Sequence, residues 1–433
     1  LSSYLNKVVL SKKYFDILKG TEKFLRKIPA IGRERAKKIV ELQEKLRTFA
    51  TPGLIFEELG FKYFGPLNGH ELEGLIRALR TIRQLRGPVL LHIKTEKGKG
   101  YNIAENDIYK CHGMSPFNAE NGEKIKNPNT SYTEIFGKTL VKLAEKNEKI
   151  VAITAAMKNG TGLDEFAEEF PERFFDVGIA EQHAVTFAAG LAVSGLKPIC
   201  AIYSTFLQRA YDQIVHDVAL QNLPVVFSMD RAGLVGDDGA THNGPFDIAY
   251  LRTIPNMAIM VPKDENELQH MLHTSTFLNS PSSIRYPRGE ALGVKLDKKL
   301  KKLPVGKAEI LKNGNELAII GAGPILHEAL EAAKNSKKSI AVVNLRFVKP
   351  LDKELILDIA RKTKNIITIE EGTVKGGLGS AVLELLEENN IKANVKILGI
   401  PDKFIEHAKQ DMQRKICGLT KENILKTIKQ MLK

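Results

Sequence analysis

Two residue types that often define a protein's chemistry are scarce in this sequence. Tryptophan is absent, and the three cysteines (Cys111, Cys200 and Cys417) are too far apart to suggest a disulfide framework or a cluster of metal-binding thiols. This cysteine usage is typical of a reducing compartment, so we expect a cytoplasmic location. No apolar run reaches membrane-spanning length and the first residues do not form a signal-peptide pattern, so no membrane partner is expected.

What is present is a soluble, globular composition with an excess of positive charge. The chain has 433 residues, of which 43% are apolar and 27% are charged, which is enough for about three domains with buried cores. Its net charge of +13 favours anionic partners, either phosphorylated small molecules or nucleic acid. Residues 28–41 resemble a helix-hairpin-helix, a module that binds DNA phosphates, but a lone match of this kind is a weak signal. Lysine-rich exposed helix faces explain the charge better than nucleic-acid binding does, so nucleic-acid binding is not favoured.

The order of apolar segments predicts three α/β blocks. Residues 1–50 are basic and helix-like, and the first block shows one clear strand, at 89–94, so it looks incomplete. From residue 133 onward, apolar strands alternate with helical stretches, as in a parallel sheet that is covered on both faces. Segments 114–132 and 295–304 are typical of linkers. The predicted strands are 150–154, 198–203, 224–230 and 258–262 in the second block, and 317–323, 340–348, 365–372 and 395–401 in the third.

One segment concentrates polar side chains at the start of an apolar helix. In FDVGIAEQHAVTFAAGLAV, residues 175–193, a short strand runs into Gly178, and Glu181, Gln182 and His183 follow. Buried polar groups need partners, and a carboxylate in a tightly packed place is suited to proton transfer. We therefore expect Glu181 to be catalytic. The alternative is that it caps the first turn of the helix and faces water.

Three further segments carry charged and aromatic residues at or just after predicted strands. They are YSTFLQRAYDQ (203–213), MDRAGLVGDDGATHNG (229–244) and IRYPRGE (284–290). Because the carboxyl ends of parallel strands share one edge of a sheet, these segments can converge there with Glu181. Several arginines at such an edge, Arg285 and Arg288 among them, are suited to bidentate binding of a phosphate or carboxylate. A histidine in a glycine-rich loop, here His242, is suited to proton transfer or substrate binding.

Taken in order along the chain, these segments resemble the 1-deoxy-D-xylulose-5-phosphate synthases, a transketolase-like family that uses thiamine diphosphate. The resemblance runs from Leu1 to about the C-terminus. It implies an α/β fold of three transketolase-like domains with central, mostly parallel sheets. Residues 1–126 match the latter part of the diphosphate-binding domain, 130–300 the pyrimidine-binding domain and 304–433 the C-terminal domain. It also implies a homodimer that joins pyruvate to glyceraldehyde 3-phosphate with loss of carbon dioxide, giving a precursor of isoprenoids, thiamine and pyridoxal phosphate.

The resemblance implies roles for individual residues as well. Glu181 matches the glutamate that hydrogen-bonds the cofactor's aminopyrimidine, Phe206 the aromatic side chain packed on that ring, and Tyr101, in GKGY, a tyrosine that contacts the cofactor. Arg231 and Arg288 match the pair that holds the phosphate of the aldehyde. The other matches are Tyr203, Arg209, Asp238 and His242 in the substrate pocket, and His112 near the reacting carbon, with His112 and His242 as candidates for catalysis.

One family motif is missing from the sequence. The family's diphosphate site has a GDG turn and a downstream asparagine, which together hold a Mg²⁺ ion bound to the diphosphate, and no GDG occurs here. We expect this part of the domain to lie before Leu1. On this interpretation the 433-residue chain holds no metal ligands, binds thiamine diphosphate weakly and is inactive alone.

Two alternative functions remain open at this point. A C-terminal subunit of a split transketolase, or the β chain of a 2-oxoacid dehydrogenase, shares the cofactor class, but such chains begin near the second domain and lack residues 1–126. A non-catalytic scaffold or a basic nucleic-acid-binding protein, based on residues 28–41, predicts DNA binding with a steep salt dependence.

Overall fold

The computed structural model describes three stretches of the chain, residues 53–106, 117–123 and 130–433. The chain divides into two compact units, residues 1–126 and 127–433. The basic segment 1–50, with its helix-hairpin-helix match, and His112 lie outside the described residues. None of the helices in the described stretches is long and apolar enough to cross a membrane.

The first unit contains two parallel strands where the sequence predicts one. Strand β1 (Lys62–Asn68) pairs with β2 (Val89–Lys94), next to helices α1 (Leu54–Glu58), α2 (Leu72–Ile82) and α3 (Asn102–Asn106) in the chain. The sequence prediction misses β1 because GPLN, residues 65–68, is typical of a turn. The strand accommodates Pro66 because its register with β2 shifts between Phe64 and Leu67, where no regular ladder hydrogen bond is required.

The second unit is built from alternating strands and helices. Its strands are β3 (Ile150–Thr154), β4 (Phe174–Asp176), β5 (Lys197–Tyr203), β6 (Val226–Asp230), β7 (Ala258–Met260), β8 (Ser282–Arg285), β9 (Glu309–Lys312), β10 (Leu317–Gly321), β11 (Ile340–Asn344), β12 (Phe347–Lys349), β13 (Asn365–Thr373) and β14 (Asn394–Ile400). Its α-helices are α4 (Tyr132–Ala144), α5 (Asp164–Glu169), α6 (Glu181–Val193), α7 (Ser204–Leu207), α8 (Tyr211–Gln213), α9 (Asp247–Arg252), α10 (Glu265–Ser275), α11 (Leu326–Lys334), α12 (Lys353–Thr363), α13 (Leu378–Glu388), α14 (Gln410–Cys417) and α15 (Lys421–Met431).

These strands form two mostly parallel sheets, which confirms the predicted α/β fold. The first sheet has the order β12-β7-β8-β6-β5-β3-β4, and the second has the order β14-β13-β10-β11-β9. Only β12 and β9, at one edge of each sheet, run antiparallel to their neighbours. Each predicted strand of the second unit is present, except that 340–348 is two strands, β11 and β12. Arg346 has a φ of +58° between them, so the chain turns there and β12 joins the other sheet.

Helix α6 packs on the first sheet through small side chains. Ala184, Val185 and Ala188 are fully buried in a core that also contains Ile202 of β5 and Met229 of β6. Alanine is the best helix former and has little bulk, so the helix axis can approach the strands closely. This close packing holds the first residue of α6, Glu181, at the edge of the sheet.

Strand β13 carries a buried carboxyl group with an altered proton affinity. Glu370 lies under the start of α13, where its Oε1 accepts a hydrogen bond from the Gly379 N–H at 3.0 Å. Burial, only partly offset by this hydrogen bond, raises the pKa of Glu370 from 4.5 to about 7. The folded protein therefore binds more protons than the unfolded chain between these two pH values, so the free energy of unfolding falls as pH rises through this window.

We expect Glu370→Gln to stabilise the protein more at pH 8 than at pH 5, by about 2 kcal/mol. Glutamine keeps the acceptor for the Gly379 N–H and removes the charge that burial penalises. Urea unfolding at the two pH values measures the difference. Glu388→Gln, at the exposed last residue of α13, is the control and should leave the free energy of unfolding unchanged at both pH values. If Glu370→Gln changes the free energy of unfolding by the same amount at both pH values, the raised pKa of Glu370 is contradicted.

Candidate active site

The carboxyl edge of the first sheet brings the predicted segments together. Tyr203 at the end of β5 lies opposite Asp230 at the end of β6, and Arg285 at the end of β8 lies opposite Met229. On the other side, Thr154 at the end of β3 lies opposite Asp176 at the end of β4. Because these strands are parallel and end in register, the loops that follow them share one edge, as the sequence predicts.

Glu181 is buried at this edge, with one carboxylate oxygen unsatisfied. Its side chain is 3% exposed, so it does not face water. Its Oε2 has no hydrogen-bond partner in the described part of the chain. The Nε of Arg209, on a side chain that is 59% exposed, lies 3.8 Å from that oxygen, beyond hydrogen-bond distance. A buried acceptor without a donor is costly, which is consistent with a site completed by a ligand.

Three rings form a row after β5. The rings of Tyr203 and Phe206 are stacked with centroids 5.7 Å apart, and the imidazole of His242 meets Phe206 edge-on at 5.3 Å. Phe206 lies on α7, the short helix that starts directly after Tyr203. The Nδ1 of His242 lies 2.9 Å from the hydroxyl of Thr241. The structure therefore brings together three of the predicted site residues from two different loops.

Arg231 is held firmly beside this row. Its backbone has a φ of +60°, an uncommon conformation for a side chain of this size. Its guanidinium lies 3.8 Å from the centroid of the Tyr203 ring, and Nη1 donates to the carbonyl of Gly160 at 2.6 Å. The same nitrogen is 3.0 Å from Oδ1 of the buried Asp230. Burial raises the pKa of Asp230, and the positive charge of Arg231 and a hydrogen bond from Thr133 oppose this change.

Arg288 and Asp238 form a partly exposed ion pair in the loops at the same sheet edge. The Nη1 of Arg288 lies 3.0 Å from Oδ2 of Asp238 and donates to the carbonyl of Val235 at 3.0 Å. Both side chains are about one-third exposed, so a solute can reach them. Burial raises the pKa of Tyr203, the negative charges of Asp230 and Asp238 add to this rise, and the positive charges of Arg231 and Arg288 oppose it.

Not every predicted site residue belongs to this cluster. Arg285, considered with Arg288 on sequence grounds, is 4% exposed and bound to Asp247, so it is not available to a ligand. Tyr101 lies in the first unit, where its hydroxyl donates to the carbonyl of Ala119 at 2.8 Å. The roles of Tyr101 and His112 stay predictions. Among the described residues, no group of three or more His, Cys, Asp or Glu side chains is placed to hold a metal ion.

The sequence analysis missed the residues that hold Arg231 and Tyr203 in place. Asp230 and Thr133 fix Arg231 but are 97 positions apart in the chain. Gly160 accepts the hydrogen bond of Arg231, and a Cβ atom at this position would lie 1.7 Å from the hydroxyl of Tyr203. The sequence signal that could have identified Gly160 is NGTG, residues 159–162, which is separated from the end of β3 by four residues and lies at the same sheet edge.

We expect Gly160→Ala to lower the free energy of unfolding by about 1–3 kcal/mol, because the methyl group displaces the Tyr203 ring from a packed position. Gly190→Ala in α6 is the matched control. Its new methyl group would meet no atom within 4 Å, so stability should stay the same or rise by up to about 1 kcal/mol. Urea unfolding of the two variants and the parent measures the difference, and equal values for the two variants would show that Gly160 is not needed for packing.

Comparison with known proteins gives matches along most of the chain. The family described as 1-deoxy-D-xylulose-5-phosphate synthase matches residues 1–95, the transketolase pyrimidine-binding domain matches 129–292, and the transketolase C-terminal domain matches 306–424. A 1-deoxy-D-xylulose-5-phosphate synthase of Syntrophus aciditrophicus is 53% identical over 440 residues, which cover 100% of this chain and 68% of that protein. The synthase of Aquifex aeolicus is 49% identical over 438 residues, which cover 100% and 69%.

Solved structures give the same fold. A chain described as a split gene transketolase, inactive beta4 tetramer, is 32% identical with a TM-score of 0.63, and the match covers 70% of this chain and 98% of that chain. A transketolase from Campylobacter jejuni has a TM-score of 0.58 over 87% of this chain and 68% of its own. At 17% identity, this second likeness supports the fold alone.

Proposed function

Because this chain belongs to the 1-deoxy-D-xylulose-5-phosphate synthase family, we propose that it condenses pyruvate with glyceraldehyde 3-phosphate, with loss of carbon dioxide, to form 1-deoxy-D-xylulose 5-phosphate. The observation that carries the proposal is the buried Oε2 of Glu181, which lacks a donor at the sheet edge where the other predicted residues meet. The match of residues 1–95 to the synthase family favours this function over a split transketolase subunit or a 2-oxoacid dehydrogenase β chain.

The residues at this edge fit the aminopyrimidine of thiamine diphosphate. Glu181 offers a desolvated carboxylate oxygen that requires a hydrogen-bond donor, and Phe206 offers a ring for packing. Thiamine diphosphate, when bound, supplies the reactive carbon and the electron sink that the decarboxylation needs. In this proposal Glu181 accepts a hydrogen bond from the pyrimidine and exchanges a proton with it, and Phe206 packs on the ring. Tyr101 contacts the cofactor, and His112 aligns the acceptor or transfers a proton near the reacting carbon.

The charged loops fit a phosphorylated acceptor. Arg288 is accessible and held beside Asp238 and Val235, and Arg231 is held in place by Gly160 and Asp230, so the two guanidinium groups can bind a phosphate without first being ordered. His242, beside Phe206, is the candidate for proton transfer to the acceptor. Tyr203, Arg209 and Asp238 complete the proposed substrate pocket.

The remaining parts of the proposal concern the assembly. We propose Mg²⁺ as the counter-ion of the cofactor's diphosphate and a homodimer as the working form. Ile179, Val193 and Leu220 are apolar side chains at least two-thirds exposed, and burial of such side chains at a subunit interface would stabilise the dimer. A cytoplasmic location is supported by Cys200 and Cys417, which are both free thiols. We also propose the three-domain division at 1–126, 130–300 and 304–433, which the matched ranges 129–292 and 306–424 support.

A product assay tests the function. Protein expressed from its own gene at native length is incubated with thiamine diphosphate, Mg²⁺, pyruvate and glyceraldehyde 3-phosphate. We expect 1-deoxy-D-xylulose 5-phosphate and carbon dioxide in equal amounts, and no product when either substrate is omitted. Transfer of a two-carbon unit between two sugar phosphates in the absence of pyruvate would instead assign transketolase activity and refute the proposal.

A further inference from the structure

A buried ion pair lies directly behind the candidate site. Asp247, the first residue of α9, and Arg285, the last residue of β8, are 1% and 4% exposed. The Nε of Arg285 donates to Oδ2 of Asp247 at 2.9 Å. Neither residue carries a role in the function proposed above.

The pair connects three segments that carry the site or support it. Oδ2 of Asp247 also accepts a hydrogen bond from the hydroxyl of Ser204 at 2.8 Å, and Ser204 starts the helix that carries Phe206. The Nη2 of Arg285 donates to the carbonyl of Gly244, two residues after His242, at 3.3 Å. The same nitrogen donates to the carbonyl of Glu371 in β13, at 2.9 Å.

The backbone of Gly244 is tightly packed against Ser204 and Arg231. A Cβ atom on Gly244 would lie 2.3 Å from the hydroxyl oxygen of Ser204 and 2.8 Å from the carbonyl oxygen of Arg231. Gly244 also exchanges two backbone hydrogen bonds with Gly233, at 2.8 and 2.9 Å. A small movement of Ser204 or Gly244 is therefore transmitted to the Phe206 helix and to the loop between Arg231 and His242.

We propose that Asp247 and Arg285 are positioning residues, which fix the Phe206 helix and the His242 loop relative to each other through Ser204 and Gly244. The inference rests on the proposed function, since it assigns these segments to the cofactor and the acceptor. Neither residue touches a ligand. Their effect is to keep an aromatic ring and an imidazole in one arrangement before any ligand arrives.

A second buried pair in the same unit provides a matched control. The Nε of Arg346 lies 2.7 Å from Oε1 of Glu267, which is 3% exposed, and Asn344 donates to both oxygens of the same carboxylate. These residues join α10 to the chain around the β11–β12 turn, and none of these bonds involves a residue of the site. Loss of this pair should weaken the fold without moving Phe206.

The absence of tryptophan from the sequence makes a direct test available. Phe206→Trp places a single fluorescent reporter in the ring row of the 433-residue chain, and its emission maximum and acrylamide quenching require neither cofactor nor activity. Asp247→Asn and Ser204→Ala are each added to this background, and Glu267→Gln is the control. Ser204→Ala is the milder change, because it removes one hydroxyl and leaves the ion pair in place.

We expect Ser204→Ala and Asp247→Asn to shift the emission to longer wavelength and to increase quenching about twofold, while Glu267→Gln lowers the unfolding midpoint and leaves both signals unchanged. In the native-length enzyme with Phe206, the first two variants should raise the half-saturating thiamine diphosphate concentration about tenfold. If Ser204→Ala leaves emission and quenching at the parent values, the positioning role is refuted. A parent enzyme without condensation activity would refute the proposed function, while the fluorescence result would still decide the positioning role.

Discussion

Glutamine in place of Glu181 should lower the kcat of the condensation by about 10²–10⁴-fold without loss of stability. The amide has the shape of the carboxylate, but it cannot accept a proton from the cofactor and return it. Because Oε2 of Glu181 is buried without a hydrogen-bond donor, the substitution breaks no hydrogen bond at that oxygen and loses only the weak attraction of the exposed Arg209, so the free energy of unfolding should change little. The initial rate with saturating substrates and a urea unfolding curve measure the two effects.

Glu265 provides the matched control for this variant. It is also the first residue of a helix and is 2% exposed, but both of its oxygens accept backbone hydrogen bonds, from Leu292 at 3.2 Å and from Val294 at 2.7 Å. Glu265→Gln turns one acceptor into a donor that faces an N–H group, so it should cost about 1–3 kcal/mol of stability and leave kcat unchanged. A Glu181→Gln enzyme that keeps near-full activity would remove the role assigned to Glu181.

Much of the two sheets of the second unit was predictable because most of their central strands are continuous apolar runs, although β8 (SSIR) and β9 (EILK) are not among the strands whose bounds the sequence predicts. IVAIT at 150–154, for example, is a strand with those bounds in the structure, and each of its five residues is buried. Parallel topology then places the ends of β5, β6 and β8 at one edge without any knowledge of side-chain contacts. The convergence of Tyr203, Arg231 and Arg288 followed from this rule and from the type of residue after each strand.

What could not be predicted depends on contacts between residues that are distant in the sequence. Arg285 and Arg288 look equivalent in RYPRG, but one is buried against Asp247 and the other is accessible beside Asp238. The need for glycine at position 160 arises from the hydroxyl of Tyr203, 43 residues later in the chain. The chain passes from β11 in one sheet to β12 in the other through Arg346, which has a positive φ. The apolar sequence pattern continues across this turn, so it gives no sign that one predicted strand is two.

Alanine in place of Arg288 should raise the KM for glyceraldehyde 3-phosphate by about 10–100-fold, because hydrogen bonds to a charged group contribute about 1.5–3 kcal/mol. The increase in KM should be confined to glyceraldehyde 3-phosphate. Pyruvate carries no phosphate, so its KM should change little. Initial rates with each substrate varied in turn, at saturating levels of the other, give both constants.

Two comparisons separate phosphate binding from a general disturbance of the site. With unphosphorylated glyceraldehyde as the acceptor, Arg288→Ala and the parent enzyme should have similar kcat/KM, since the lost contact is to the phosphate alone. Arg252→Ala removes an arginine that is also partly exposed and paired with a carboxylate, that of Glu384, outside the site, and it should leave both KM values unchanged. Equal losses for the phosphorylated and unphosphorylated acceptors would show that Arg288 shapes the loop around Asp238, with which it forms an ion pair, and does not bind the phosphate.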